Sequence, residues 1–294
     1  EVKLSPICQE IFADIDKNTV TFVDNYDGSM KEPLLLPTTF PNILVNPNLG
    51  IAVGMASSIC SFNLHEICQT TIQLIKNENA NILKTLHAPD FPTGGQVIYN
   101  EKELSQIYET GRGSVKIRAK YRFDEKNNCI EIYEIPYTTN IETIMDKIFA
   151  LVKAGKIRDI TDVRDETDLN GLKIAIDIKK NTKADLLMHR LYQMTPLADT
   201  FNCNFNLLID SKPMTLGVRD ILKHWIDFRI HSIKNQLAFD INKKSEKYHL
   251  LIGLSKILMD IDKAISIIRP TEKEEMVVSN LMQGFSIDEK QAEY

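Results

Sequence analysis

The chain has 294 residues, of which 43% are hydrophobic and 26% are charged, as is ordinary for a globular protein. Its formal net charge of −5 argues against a protein that is basic throughout, so any nucleic-acid surface must be local. The five cysteines are dispersed without a Cys-x-x-Cys pair, which predicts reduced thiols and a cytoplasmic protein. No apolar run approaches the ~20 residues of a membrane span, so we expect no membrane partner.

The first segment has the pattern of a helix followed by a short strand and a turn. Apolar residues in Glu1 to Asp14 recur on one helical face. Residues 19–23 then alternate as a strand, and Asn25 to Ser29 has turn composition. The chain opens with a residue other than methionine and stops inside an amphipathic pattern, so we expect a piece of a longer protein.

Residues 34–56 change character in the middle. Asn46 to Gly50 has the composition of a turn, and Ile51 follows it directly. We therefore expect Ile51 at a protruding tip or tight corner and not in the middle of a strand. Composition alone favours a buried strand or helix start. The alternative is an exposed apolar wedge that enters a DNA base step and kinks the duplex.

Two helices with a loop between them are predicted next. Residues 64–77 place their apolar side chains on one face, with Asn63 as the N-cap. Proline and glycine make residues 87–95 a loop, and residues 101–108 form a short helix that Gly111 ends.

A basic strand is the most informative charge pattern. Residues 111–123 contain five cations and no acid, and from Val115 to Phe123 apolar and basic residues alternate, which predicts one strand with a cationic face. Residues 110–114 are expected to be a flexible loop whose backbone N–H groups could approach a phosphate. A return strand over 129–135 carries Glu131 and Glu134, which could pair with this face. Two acids cannot neutralise five cations, so a net positive surface is predicted to remain.

The second half of the chain is predicted to be largely helical. Residues 166–177 resemble a calcium loop in spacing, but the following strand pattern favours a solvated turn. From Val218 a helical pattern continues for some fifty residues to Pro270, and the polar residues 242–247 fit one long helix or two. The remaining predicted elements are a helix over 141–154, a helix over 184–194, a hairpin of 201–209 with 214–216, and a helix from Glu272 to Leu281.

Four motifs in a fixed order resemble the A subunit of bacterial type IIA topoisomerases, the family of DNA gyrase and topoisomerase IV. They are N-Y-D-G-S from Asn25, L-P-T-T-F-P-N-I-L-V-N from Leu36 with G-I-A-V-G-M-A from Gly50, D-F-P-T-G-G from Asp90, and Y-E-T-G-R-G-S from Tyr108. Pro47 stands where the family usually has glycine. The resemblance implies an α+β fold from the breakage-reunion domain. It implies a winged-helix remnant over 1–32, a tower domain with an antiparallel sheet and packed helices over 33–216, and coiled-coil-arm and exit-gate helices over 217–294.

The resemblance also assigns roles to residues. In that family the isoleucine matching Ile51 intercalates to bend the gate DNA. The DNA-binding residues it implies are Asn46, Asn48, Gly50, Arg112, Gly113, Lys116, Arg118, Lys120 and Arg122.

The chemistry itself is expected outside this chain. The family's nucleophilic tyrosine lies in an Arg-Tyr-Thr-Glu run; if that glutamate is Glu1, the nucleophile precedes the chain by two residues, and these residues alone are inactive. The implied partners are double-stranded DNA, a second copy of the A subunit, and a B subunit that binds Mg²⁺ and ATP in an A2B2 assembly. The competing hypothesis is a non-enzymatic DNA-bridging scaffold with a dimerising long helix, which the absence of that upstream run would favour.

Overall fold

The computed structural model of the chain describes residues 2–271 and 273–294, so Glu1 and its predicted place after a tyrosine lie outside the described residues. The chain divides into two units, one made of residues 1–39 with 228–294 and the other of residues 40–227. Each unit is described by itself below. The winged-helix, tower and coiled-coil assignments stay predictions.

The N-terminal segment is less helical than its apolar pattern indicates. Helix α1 spans only Cys8–Ile11, and a 3-10 turn follows at Ile15–Lys17. Asp14 has a φ of +53°, outside the right-handed helical region, so one continuous helix cannot extend through it. Strands β1 (Phe22–Asp24) and β2 (Lys31–Pro33) pair in antiparallel fashion around the predicted turn.

The unit of residues 40–227 contains antiparallel sheets with helices packed against them. In chain order its elements are α2 (Asn42–Val45), β3 (Asn48–Ala52), β4 (Met55–Ile59), α3 (Leu64–Lys76), β5 (Gln96–Val97), α4 (Glu101–Thr110), β6 (Arg112–Arg118), β7 (Lys120–Asp124), β8 (Cys129–Glu134), α5 (Ile141–Lys153), β9 (Ile160–Asp165), β10 (Ile174–Ile178), α6 (Ala184–Met194), β11 (Ala198–Asn204), β12 (Asn206–Ile209) and β13 (Lys212–Thr215). The α+β expectation is confirmed.

Two larger sheets organise this unit. The five-stranded sheet has the order β3-β4-β11-β6-β5, and the four-stranded sheet has the order β7-β8-β10-β9. Each buries one face in its own apolar core: Val115, Ile117 and Phe201 lie in the first core, and Ile130 and Ile176 lie in the second. The opposite face of each sheet carries most of its charged side chains, together with some exposed apolar ones.

The single basic strand predicted over 115–123 is wrong in one respect, because it is two strands in two sheets. Strand β6 belongs to the five-stranded sheet and β7 to the four-stranded one. They meet at Ala119, whose N–H donates to the carbonyl of Leu197 at 2.7 Å. Ala119 is fully buried, so the alternation of buried and exposed residues runs on across the junction.

The flexible loop expected at residues 110–114 is also wrong. Arg112, Gly113 and Ser114 lie in β6, opposite Asn204, Cys203 and Asn202 of β11. A Cβ on Gly113 would lie 2.5 Å from the Cγ1 of Ile107. The glycine is required because helix α4 lies against the strand there, and not because the backbone is free.

Most of the other elements match their sequence patterns. Asn63 caps α3, its side chain accepting from the N–H groups of His65 and Glu66, and Gly111 ends α4. Strands β7 and β8 form the predicted hairpin. The predicted strand over 201–209 is divided at Phe205, since residues up to Asn204 belong to β11 and only β12 pairs with β13.

The C-terminal helices begin with one long helix. Helix α7 spans Val218–Leu258 without interruption, so of the two alternatives the polar residues 242–247 lie within one helix. The others are α8 (Ile261–Ile268), α9 (Glu274–Phe285) and α10 (Glu289–Glu293). Glu272, the predicted start of α9, lies outside the described residues. Over residues 2–271 and 273–294, no helix combines the length and apolarity that a bilayer crossing requires.

Candidate nucleic-acid interface

Ile51 lies beside the tip of the β3–β4 hairpin. It pairs with Ala56, and Ala52 pairs with Met55, so the turn is Val53–Gly54, where Gly54 has a φ of +80°. Ile51 is 97% exposed and Val53 107% exposed. The predicted exposure of Ile51 is therefore found, but the predicted turn at 46–50 is wrong: Asn48 to Gly50 are strand residues, and Ile51 is the fourth residue of β3.

The pairing registers show which residues share a face of the five-stranded sheet. Leu49 lies opposite Ser58, Ser58 opposite Asn204, and Asn204 opposite Arg112. Because side chains two residues apart on a strand lie on the same face, that face also carries Ile51, Lys116 and Arg118. The other face carries buried residues, among them Ile59, Cys203, Val115 and Ile117. We call the first of these faces the outer face.

Three cations on the outer face have no acidic partner among the described residues. A guanidinium N–H of Arg112 donates to the hydroxyl of Thr215 at 3.4 Å. Arg118 donates to the side-chain carbonyl of Gln96 at 2.9 Å, and its guanidinium carbon lies 5.9 Å from the ring centroid of Tyr192. Lys116, between them on β6, is exposed. Neutral partners orient the two guanidinium groups without cancelling their charge.

The other two cations of the basic pattern are neutralised across the ladder of the four-stranded sheet. The Nζ of Lys120 lies 2.9 Å from a carboxylate oxygen of Glu134, which raises the pKa of Lys120. Arg122 donates to Glu131. The pKa of Glu131 is lowered, first by Lys173 and then by Arg122. The predicted pairing of both acids is confirmed. Lys120 and Arg122 thus have acidic partners, whereas the three cations on the outer face have none among the described residues.

The remaining predicted DNA-binding residues are not gathered with Ile51. Asn46 donates from its side chain to that of Asn42 at 2.6 Å. Asn48 and Gly50 lie opposite Ile59 and Ser57, on the hairpin face that points away from Ile51. Gly113 lies on the inner side of β6, against α4. Of the predicted DNA-binding residues, Arg112, Lys116 and Arg118 share the outer face with Ile51.

The outer face also carries polar residues that the sequence did not predict as DNA-binding. Asn202 and Asn204 of β11 lie there opposite Ser114 and Arg112, and Gln96 of β5 lies opposite Arg118. The alternation of asparagine with buried residues from Phe201 to Phe205 was the available signal. It indicates a strand with one polar face, but the strand's neighbours in the sheet are not visible from it.

The described residues do not contain a metal-binding cluster: among residues 2–271 and 273–294, no three His, Cys, Asp or Glu side chains converge around a common point. Asp177, the last position of the calcium-like spacing, instead accepts from Arg164 at 2.5 Å.

Comparison with known proteins identifies the family. A family model for the A subunit of DNA gyrase/topoisomerase IV matches residues 1–294. The A subunit of DNA gyrase from Clostridium acetobutylicum is 41% identical over 299 residues, covering 100% of this chain and 36% of that protein. The one from Borreliella burgdorferi is 39% identical over 298 residues, covering 99% of this chain and 37% of that protein. The one from Staphylococcus aureus is 36% identical over 300 residues, covering 100% of this chain and 34% of that protein.

The chain thus spans about a third of the length of these relatives, judged by shares of 36%, 37% and 34%. The match of the family model extends over all its residues, including the hairpin of Ile51 and the basic strand β6. The chain belongs to the family formed by the A subunits of DNA gyrase and topoisomerase IV.

Proposed function

We propose that the outer face of the five-stranded sheet binds and bends the gate DNA of a type IIA topoisomerase, with Ile51 entering a base step. One observation carries this proposal. A fully exposed isoleucine at a hairpin tip shares a sheet face with three cations that have no acidic partner among the described residues. An exposed apolar side chain gains by leaving water, and phosphate oxygens supply the charge that the cations lack.

The energetics favour a division of roles between the wedge and the cations. Removing an isoleucine side chain from water is worth roughly 1.5–3 kcal/mol. Smooth bending of a short site costs on the order of 1–6 kcal/mol, and unstacking a base step costs a few more. Ile51 therefore localises the bend but cannot drive it alone. Phosphate contacts by Arg112, Lys116 and Arg118 offset the remainder.

The spacing of these groups suits a duplex lying along the face. Lys116 is three strands away from Ile51 across the sheet and six residues away along it. With about 4.8 Å between strands and about 3.3 Å per residue, the separation is about 24 Å. That corresponds to about seven base-pair steps of 3.4 Å. Lys116 would therefore contact a DNA phosphate about seven base pairs, or most of a helical turn, from the kinked base step.

The activity of the whole protein is proposed by extension from the family. The chain would be part of an ATP-dependent, cytoplasmic enzyme that cleaves, passes and religates duplex DNA through a phosphotyrosine link. The nucleophilic tyrosine would lie just before Glu1. A second copy of the A subunit, with two B subunits, would complete an A2B2 assembly, and each B subunit would hold ATP and the Mg²⁺ that stabilises the transferring phosphate. The family match and the relatives named as A subunits of DNA gyrase support this proposal.

The bending role can be tested by energy transfer between dyes at the two ends of a duplex. A straight duplex of about 30 base pairs is about 100 Å long, and a bend of about 90° shortens that distance to about 70 Å. We expect this chain to shorten it and Ile51→Ala to reduce the shortening more than the affinity. Leu208→Ala, which truncates an exposed apolar residue on β12, is the matched control and is expected to bend DNA normally.

The outcomes separate the proposal from its competitor. Equal loss of bending and affinity in Ile51→Ala would contradict the wedge. Binding without bending by the unmodified chain would favour the DNA-bridging scaffold. If this chain does not bind, the same test moves to a chain extended upstream through the expected tyrosine, and bending there that does not depend on Ile51 would refute the wedge.

A further inference from the structure

The hairpin that carries Ile51 has little main-chain connection to the rest of its sheet. Within the described residues, β4 is registered with β11 at one pair, Ser58 with Asn204. Strand β11 ends at Asn204, so the hairpin residues nearer the tip have no registered strand beside them. A two-stranded hairpin alone is marginally stable in water. Something other than the sheet ladder must therefore hold the tip in place.

The hydroxyl of Ser58 donates to the carbonyl of Asn202 at 2.7 Å beside that registered pair, and nearer the tip the side chains of two asparagines supply the connection. The Nδ2 of Asn204 donates to the carbonyl of Ala56 at 2.8 Å, and the Nδ2 of Asn206 donates to the same carbonyl at 3.3 Å. A carbonyl oxygen has two lone pairs, so it can accept both bonds. Ala56 is the residue directly opposite Ile51 on the hairpin. Both bonds thus meet the backbone at the level of the wedge.

The two asparagines are themselves fixed by the buried residue between them. Phe205 donates its N–H to Gly111 at 2.8 Å and accepts from the N–H of Leu216 at 3.1 Å, and its side chain is fully buried. The Oδ1 of Asn204 is buried and has no hydrogen-bond partner among the described residues. The hydrogen bond from Nδ2 to Ala56 is therefore what offsets the burial of the Asn204 side-chain amide. Rotating that amide by 180° would place its Oδ1 against the carbonyl oxygen of Ala56.

We infer that Asn204 and Asn206 are positioning residues that hold the Ile51 wedge in place while it is inserted between bases. This inference rests on the proposed function. Unstacking a base step pushes back on the wedge, and a hairpin anchored at one registered pair would swing away from the duplex. Two bonds to Ala56 transfer that force to the backbone around buried Phe205. The wedge side chain and its support are thus on different strands of the chain.

A first experiment tests the support in the free chain, without DNA. Asn204→Leu and Asn206→Leu keep the approximate size of the side chain and remove the donor. We expect hydrogen exchange of the amides in residues 49–58 to become about fivefold faster for each bond lost. Asn127→Leu is the matched control, since the Nδ2 of Asn127 also donates a hydrogen bond, to Asp124 at 2.8 Å, but in the turn between β7 and β8 and not to the hairpin of Ile51. Unchanged exchange in both variants would overturn the inference.

A second experiment tests the consequence for bending, with the same chain and the end-labelled duplex. We expect the ratio of bent to straight complexes to fall about fivefold in each variant. In an Ile51→Ala background the same substitutions should cause no further loss, because the asparagines act through the wedge. Additive losses in the double variants, or an equal loss in Asn127→Leu, would refute the positioning role.

The two experiments distinguish the inference from the function on which it rests. Faster exchange in the variants, together with bending that depends on Ile51 and on both asparagines, supports both. If the unmodified chain fails to bend DNA although exchange responds as expected, the proposed function fails and takes the positioning role with it. If Ile51 is needed for bending but neither asparagine is, the proposed function stands and the inference fails.

Discussion

Neutralising the outer-face cations should reduce the salt dependence of DNA binding by an amount the structure predicts. The variant replaces Arg112, Lys116 and Arg118 with glutamine, removing the three cations that have no acidic partner among the described residues. Replacing Lys243, Lys244 and Lys247 with glutamine is the matched control. These three lysines are exposed on α7, and their removal changes the net charge equally.

The magnitude follows from counterion release. Each phosphate contact contributes about −0.9 to the slope of log affinity against log salt, so three contacts contribute about −2.7. Raising salt from about 50 to 200 mM is a fourfold change, over which those contacts weaken binding by about 40-fold. The triple variant should bind more weakly at low salt, and its affinity should fall less steeply with salt, by about 2.7 units of slope. The control should keep the slope of the unmodified chain.

Fluorescence anisotropy of a labelled duplex, measured over a series of salt concentrations, gives both slopes directly. A second variant, Lys120→Gln with Arg122→Gln, removes cations that Glu134 and Glu131 already neutralise. We expect it to leave the slope nearly unchanged. The reasoning is refuted if the outer-face variant keeps the original slope, or if the α7 control lowers it as much.

Two further predictions concern stability. Replacing Asn63 by alanine removes the acceptor for the N–H groups of His65 and Glu66 and should destabilise the chain by about 1 kcal/mol in urea unfolding. Asn63→Ser loses the same hydrogen bond to Asp90 but keeps a capping oxygen, so it should destabilise the chain less, and equal losses would contradict the capping role. Because Lys173 and Arg122 lower the folded-state pKa of Glu131, its contribution to stability is complete above the ordinary glutamate value of about 4.3 and is lost as pH falls through the lowered value. Glu131→Gln should therefore lose less stability than the unmodified chain as the pH falls through that range. Urea unfolding at a series of pH values gives the free energy of unfolding of each form, and the same decrease with pH in both would refute this.

Local patterns predicted the helices well because their signals are local. The apolar spacing of residues 64–77 and the cap at Asn63 lie within one element, so no distant contact is needed to interpret them. The N-terminal segment shows the opposite case. Its apolar face is helical in pattern over residues 1–14, but α1 ends at Ile11 and the left-handed backbone of Asp14 prevents a helix from continuing through it, which the apolar spacing does not show.

The division of the basic strand could not be read from the sequence for a physical reason. Ala119 is buried like Val115 and Ile117, so the two-residue period passes through the junction unchanged. What ends the strand is a partner far along the chain, since the carbonyl of Leu197 takes the N–H of Ala119 and the hydroxyl of Tyr192 donates to its carbonyl. The alternation of apolar and basic residues predicts which face of a strand each side chain lies on, but it does not predict which sheet the strand belongs to.

That division changes how the charges should be counted. A net charge of −5 and a run of five cations look contradictory if the run is one surface. In the four-stranded sheet, however, Arg122, Lys173 and Arg164 are each paired with carboxylates, including those of Glu131 and Asp177. The acids of this sheet are therefore used locally and do not screen the outer face of the five-stranded sheet. An acidic net charge is therefore compatible with the proposed DNA contact, because the three cations of the outer face are not among those that the carboxylates of the four-stranded sheet neutralise.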